Sequence, residues 1–185
     1  MMRTTDTSGS VSSLRFGVLA ICSILQLSFV MLSHHKIVIN KGERMLYVYR
    51  NDSLIRSYKV ALGFSPNGTK LKQGDGKTPE GTYYISSKNP QSQFYLGFRV
   101  SYPNAQDAER GLRSGIISQR EFQDIKRANG AHRAPPQNTA LGGDICIHGS
   151  GTSRNWTWGC IALEDSDIKT LFDEIPSGTP VTINP

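Results

Sequence analysis

From Lys36 onward the chain is a succession of short β-type runs, each stopped within a few residues by glycine, proline, asparagine or aspartate. KIVIN (36–40), MLYVYR (45–50) and LIRSYKVAL (54–62) are rich in valine, isoleucine and tyrosine. They alternate roughly with period two, the pattern of a half-buried strand. Lys41-Gly42 and Asn51-Asp52 fall between them, so the three runs predict an antiparallel meander closed by tight turns. A glycine-rich loop (63–81) follows, then TYYIS (82–86), FYLGFRV (94–100), DICIH (144–148) and PVTIN (180–184). Such short runs bury apolar side chains only by pairing with one another, so the core must be sheet.

Helical patterns are few and short. Asn104 is placed to cap a helix ending near Gly111, and Ser118-Gln119-Arg120-Glu121 has capping-box spacing for a helix that stops at Asn129-Gly130. Ile168, Leu171, Phe172 and Ile175 form an i, i+3, i+4, i+7 stripe closed by Pro176. Residues 101–142 carry little β pattern and six basic side chains, Arg110, Arg113, Arg120, Lys126, Arg127 and Arg133. A segment of that kind is expected to shape or cover a site.

The N-terminal part is different. Residues 16–33, FGVLAICSILQLSFVMLS, hold no charge, and their length is at the lower edge of what spans a bilayer. Arg3 and Arg15 precede the run, opposed only by Asp6, which keeps the N-terminus cytoplasmic and puts the remainder outside the cytoplasmic membrane. No clean pair of small residues marks a cleavage site between Leu27 and His35, so an uncleaved anchor is preferred to a cleaved signal. Cys22 is not read as an acylation site, because Ile21 is bulky and the apolar run continues beyond it. The expected organisation is therefore a cytoplasmic stub and anchor or signal segment at 1–35 and one domain at 36–185. The net charge of +6 is not clustered enough to favour nucleic acid, and three cysteines cannot make a disulfide scaffold.

DICIHGSGTSRNWTWGCIALED (144–165) carries the chemistry. His148 ends a β-type run, and Cys160 follows twelve residues later, just before the apolar run Ile161-Ala162-Leu163. Two adjacent strands joined by this loop would bring an imidazole to a thiol, the pairing that nucleophilic cysteine catalysis needs. Gly159 permits a tight turn, so the amides of Gly159 and Cys160 could face an oxyanion. By themselves, one histidine and one cysteine also fit an inert core pair. Trp156 and Trp158 bracket Thr157 and should share one face, either as a substrate shelf or as packing. Cys146 reads as a small core residue or as a thiol able to bond Cys160 in an oxidising compartment. Lys77, Thr78 and Glu80 read as turn architecture, with Lys77 near substrate as the alternative. His34-His35 and His132 lack ligand spacing, so no metal is expected.

The stretch HG…TxGCIA resembles the L,D-transpeptidase (YkuD-like) catalytic domain, whose motif runs HG, then S/T-x-G-C. GDGKTPEGTYYI (74–85) is similar to that family's GxxxTPxG element, and YRNDSLIRSYKVALG (49–63) to its opening strand pair. The resemblance covers about 37–184 and is strongest to a short, single-domain, YafK-like branch. It implies a mainly-β, sandwich-like fold with short helices and no cofactor. By position it implies Cys160 as nucleophile, His148 as base, and Gly159 and Thr157 as loop residues beside the nucleophile. Trp156, Trp158, Gly149 and Arg154 become expected substrate contacts. The implied reaction attacks the diaminopimelate carbonyl of a peptidoglycan tetrapeptide stem, expels D-Ala and passes the acyl group to an amine. Two alternatives accompany it: a carboxypeptidase or cross-link hydrolase using the same pair, and a non-catalytic wall-binding module. Ala162 departs from the commoner pattern, which has arginine two residues after the cysteine. Oligomeric state is not legible.

Overall fold

The computed structural model describes residues 34–185, so the apolar run at 16–33, with Cys22, lies outside the described residues. The expected meander is present as β1 (His35–Asn40), β2 (Met45–Arg50) and β3 (Ser53–Lys59), paired antiparallel. Asn51 and Asp52 turn the second hairpin with positive φ of 47° and 63°, the primed geometry that matches strand twist. The remaining strands are β4 (Gly81–Ser92), β5 (Tyr95–Val100), β6 (Cys146–His148), β7 (Ile161–Ala162) and β8 (Pro180–Asn184).

Strand order is β3-β2-β1-β8-β4-β5-β6-β7. The expected sandwich is realised as one curled sheet, and β4 is the reason. Its first residues pair with β8 and its later ones with β5, with a register shift between Ile85 and Ser87. Such a bulge bends a strand and increases its twist. The curl brings the far edges together: the amide of Ala61, just past β3, donates to Ala162 on β7 at 2.9 Å, and Ala162 returns the bond at 2.8 Å. Ile37, Ile39, Leu46, Val48, Ile85, Phe98, Ile147, Ile161 and Val181 fill the interior. At about 25 cal/mol per Å² of buried apolar surface, this interior is the main stabilising term.

Three helices complete the described residues: α1 (Ala105–Arg113), α2 (Gln119–Gly130) and α3 (Asp165–Glu174). Asn104 and Ser118 each form the reciprocal capping box, which satisfies otherwise orphaned amides. α3 seals the main core through Ile168 and Leu171. α1 and α2 close over a smaller core of Ala108, Ile117, Ile125 and Leu141. Buried Asp107 ties α1 to β4 by accepting from the Tyr83 hydroxyl at 2.9 Å. Among the described residues, no helix is long and apolar enough to cross a membrane.

The glycine-rich loop at 63–81 is rigid by construction. Lys41, buried, donates to Glu80 Oε1 at 2.6 Å and to the carbonyls of Gly68 and Thr78. Lys70, also buried, donates to Asp75 at 2.9 Å. Lys77 Nζ donates to the Asn67 carbonyl at 2.7 Å, so it is turn architecture. The loop abuts the 157–160 turn at Gly63, where an added Cβ would stand 2.1 Å from the Gly76 oxygen. Only glycine allows that approach.

Candidate active site

β6 and β7 lie side by side in parallel, with Ile147 opposite Ile161 and His148 opposite Ala162. This register puts His148 at the end of one strand and Cys160 at the entry to the next. The Cys146 amide donates to Cys160 Sγ at 3.3 Å, and the thiol donates to the Asp144 carbonyl at 3.4 Å. His148 Nδ1 stands 2.7 Å from the Gly149 oxygen. A carbonyl can only accept, so the proton sits on Nδ1 and Nε2 is left as the basic nitrogen.

The imidazole is boxed in. Phe94 stacks on it at 4.6 Å between centroids, and Trp156 meets it edge-on at 5.6 Å. Trp156 is itself tied by its indole N–H to the Gly151 carbonyl at 3.1 Å. His148 is 1% exposed, whereas Cys160 is partly open to a cleft of about 320 Å³ lined also by Phe94, Arg99, Asp144 and Cys146. Hydrogen bonding from the Cys146 thiol holds the Cys160 thiol well below the usual cysteine range. The hydrogen bond and charge of His148 and the Cys146 amide add to this, against burial. Cys146 moves the other way, pushed up by donating to Cys160 and by burial. Both thiols are free.

That division of protons predicts a shift. In Cys146→Ala the thiolate loses a donor while the amide remains, so the Cys160 pKa rises. The acid limb of iodoacetamide alkylation, expected below the ordinary thiol range in the wild type, should move to higher pH. An unmoved limb would mean that His148 alone sets the thiol.

The turn before Cys160 is locally determined. Thr157 Oγ1 donates to the Cys160 carbonyl at 2.7 Å and accepts from the Gly159 amide at 3.2 Å. The expected pair of oxyanion donors is therefore reduced: the Gly159 amide is taken by Thr157, and only the Cys160 amide has no acceptor among the described residues. Gly149 is buried, and its carbonyl fixes the His148 tautomer instead of lining the cleft.

Other expected contacts part company. Trp156 packs on His148, while Trp158, 69% exposed, meets Phe64 edge-on at 4.9 Å, so the two do not form one shelf. Arg154 lies in a different pocket with Glu43, Arg44 and Lys59. Glu164 holds Thr152 through its amide and hydroxyl, and the Asn155 side chain accepts from the Leu62 amide, which steers this part of the loop away from the thiol. From the 101–142 segment, Gln137 and Gly142 line a separate pocket beside Trp158, which shares Asp144 with the Cys160 cleft. Sequence reasoning missed Phe94, Arg99 and Asp144. Phe94 and Arg99 fell in a recognised β run and Asp144 in the motif itself, but nothing in their spacing marked them.

A mainly-β curled sheet with a histidine–cysteine pair at adjoining strand ends, in an open cleft, defines the class. The chain belongs to the L,D-transpeptidase catalytic domain (YkuD) family, whose model matches residues 34–183. Among Escherichia coli K12 proteins named by inference as L,D-transpeptidases, YafK is 36% identical over 81 residues, 40% of this chain and 33% of its own. YcfS is 31% identical over 155 residues, 80% of this chain and 43% of its own. The structure of Bdellovibrio bacteriovorus Bd1075 superposes with a TM-score of 0.53 at 25% identity, covering 82% of this chain and 48% of that one. The helical cell shape determining protein Pgp2 of Campylobacter jejuni shares the fold, with a TM-score of 0.55 at 24% identity and coverage of 82% and 47%. The chain thus spans between a third and about half the length of these relatives.

Proposed function

We propose that the protein is an extracytoplasmic peptidoglycan L,D-transpeptidase, with residues 36–185 as its catalytic domain and residues 16–33 as its attachment to, or signal for crossing, the cytoplasmic membrane. The observation that carries the reading is the Cys160 thiol itself. It is stabilised toward the thiolate, open to a cleft, and paired with a histidine whose tautomer is already fixed.

The chemistry follows from these groups. His148 Nε2 takes the thiol proton as Sγ bonds the carbonyl carbon of the diaminopimelate residue in a tetrapeptide stem. The Cys160 amide donates to the developing oxyanion; removing one donor of this kind typically costs ~10²–10³ in rate. The tetrahedral species collapses, the C–N bond to D-Ala breaks, and His148 returns its proton to the leaving amine. An amine of a second stem then attacks the thioester and loses a proton to His148, and the thiolate departs. No step calls on a metal or organic cofactor.

Incubating the full-length chain with purified sacculi tests the assignment. D-Ala release with growth of 3→3 cross-linked dimers is the expected result. Rising monomers without new dimers would make it a carboxypeptidase or cross-link hydrolase. Unchanged muropeptides would leave a wall-binding module.

A further inference from the structure

We propose that Arg99 and Asp144 form a pair that reads a zwitterion, selecting a stem residue whose side chain ends in an ammonium and a carboxylate on one carbon. The inference rests on the peptidoglycan reading above and names what its cleft recognises.

Arg99 lies on β5 directly across from Cys146, and Asp144 lies two residues before Cys146. Both line the cleft that opens on Cys160 and His148, and they are its only fixed charges, the rest of the lining being neutral or the catalytic pair itself. Arg99 Nη1 stands 3.0 Å from Asp144 Oδ1. Their side chains are 40% and 69% exposed. An ion pair so open to water contributes little to folding, about 0–1 kcal/mol, and opens readily for a ligand. Arginine presents five donors in a planar fork, and this bond uses one, leaving faces free for a carboxylate. The Asp144 carboxylate likewise has an oxygen left for an ammonium.

The backbone at Asp144 ties this pair to the nucleophile. Its amide donates to Gln137 Oε1 at 2.7 Å, and its carbonyl accepts from the Cys160 thiol at 3.4 Å. It holds a left-handed φ of 53°, a conformation uncommon outside glycine and concentrated at functional sites. The backbone that bears the carboxylate is therefore fixed beside Sγ. Two opposite charges side by side match a ligand end that is neutral overall and carries both. A bare amine leaves Arg99 without a partner, and a bare acid is repelled by Asp144.

The test compares a tetrapeptide stem bearing diaminopimelate with the same stem amidated at the side-chain carboxylate, scored by D-Ala release as kcat/KM. The full-length wild type should prefer the free carboxylate by roughly 10–100-fold, the value of a charged hydrogen bond. In Arg99→Gln the two stems should converge, with the loss confined to the carboxylate form, while Arg99→Lys keeps part of the preference. The melting temperature of Arg99→Gln should stay close to that of the wild type, because an ion pair this exposed contributes little to folding, which shows the fold intact. Equal use of both stems by the wild type, or a preference that survives Arg99→Gln, overturns the pair while the transpeptidase reading stands. A wild type that turns over neither stem yet still alkylates normally overturns the transpeptidase reading, and the proposal with it.

Discussion

Cys160→Ala should abolish D-Ala release and 3→3 dimer formation, a loss on the order of 10⁴-fold or more, because no other group can carry the acyl intermediate. Cys146, the nearest thiol, does not substitute. In the wild type its proton is held more tightly than usual, chiefly through its hydrogen bond to Cys160, and in Cys160→Ala, where that bond is gone, burial still opposes its thiolate. Treatment with a carbapenem, which acylates such thiols, should add its full mass to the wild type and none to Cys160→Ala. His148→Ala should fall by a similar factor, and the double variant should be no worse than either single one, since the two groups act in one step. Cys160→Ala exchanges one small side chain for another in a partly open position, so its melting temperature should hardly move. Residual turnover in Cys160→Ala above a hundredth of wild type would remove Cys160 from the chemistry.

Why the pair could be read from sequence, while much of its setting could not, has a physical explanation. Strand identity follows from period-two alternation, and helix starts follow from caps, and both are local. Asn104 and Ser118 cap where their spacing places them, and Asn51-Asp52 turns as its residue types demand. His148 and Cys160 sit at the ends of two such runs, so their meeting needed only one parallel register. The rest depends on contacts far apart in the chain. β4 runs to Ser92, well past TYYIS, although Lys88, Asn89 and Pro90 look like loop residues, because β5 pairs along it. Trp156 and Trp158 diverge because Phe94 and Phe64 draw them apart, and neither partner is visible in the alternation around Thr157. Arg99 reaches Asp144 only through the β5–β6 pairing. The oxyanion expectation failed in part on a single local bond: Thr157 is close enough to occupy the Gly159 amide.

Gly159→Ala should cost the fold about 2–4 kcal/mol, because two independent penalties meet at one Cα. The backbone there has φ of 127°, a region that L side chains rarely adopt. An added Cβ would also stand 2.6 Å from the Lys77 carbonyl oxygen and 3.0 Å from Ile145 Cδ1. The first obstacle is backbone of a loop clamped by Lys41 and Lys70, so it cannot swing aside as a flexible side chain would. For a domain of this size the melting temperature should fall by roughly 5–15 °C. Gly115→Ala separates the two penalties: φ there is 67°, but no atom lies within 4 Å of the added Cβ. It should show strain alone and a smaller fall. Activity divides them further. Moving Gly159 shifts the Thr157 bond to its amide and with it the Cys160 amide one residue on, so Gly159→Ala should lower kcat well below the wild type even at a temperature where it is fully folded. Gly115, in the turn between α1 and α2, should leave kcat unchanged. Equal destabilisation by the two substitutions would mean that the 63–81 loop yields, and that its clamps do not hold the nucleophile's turn in place.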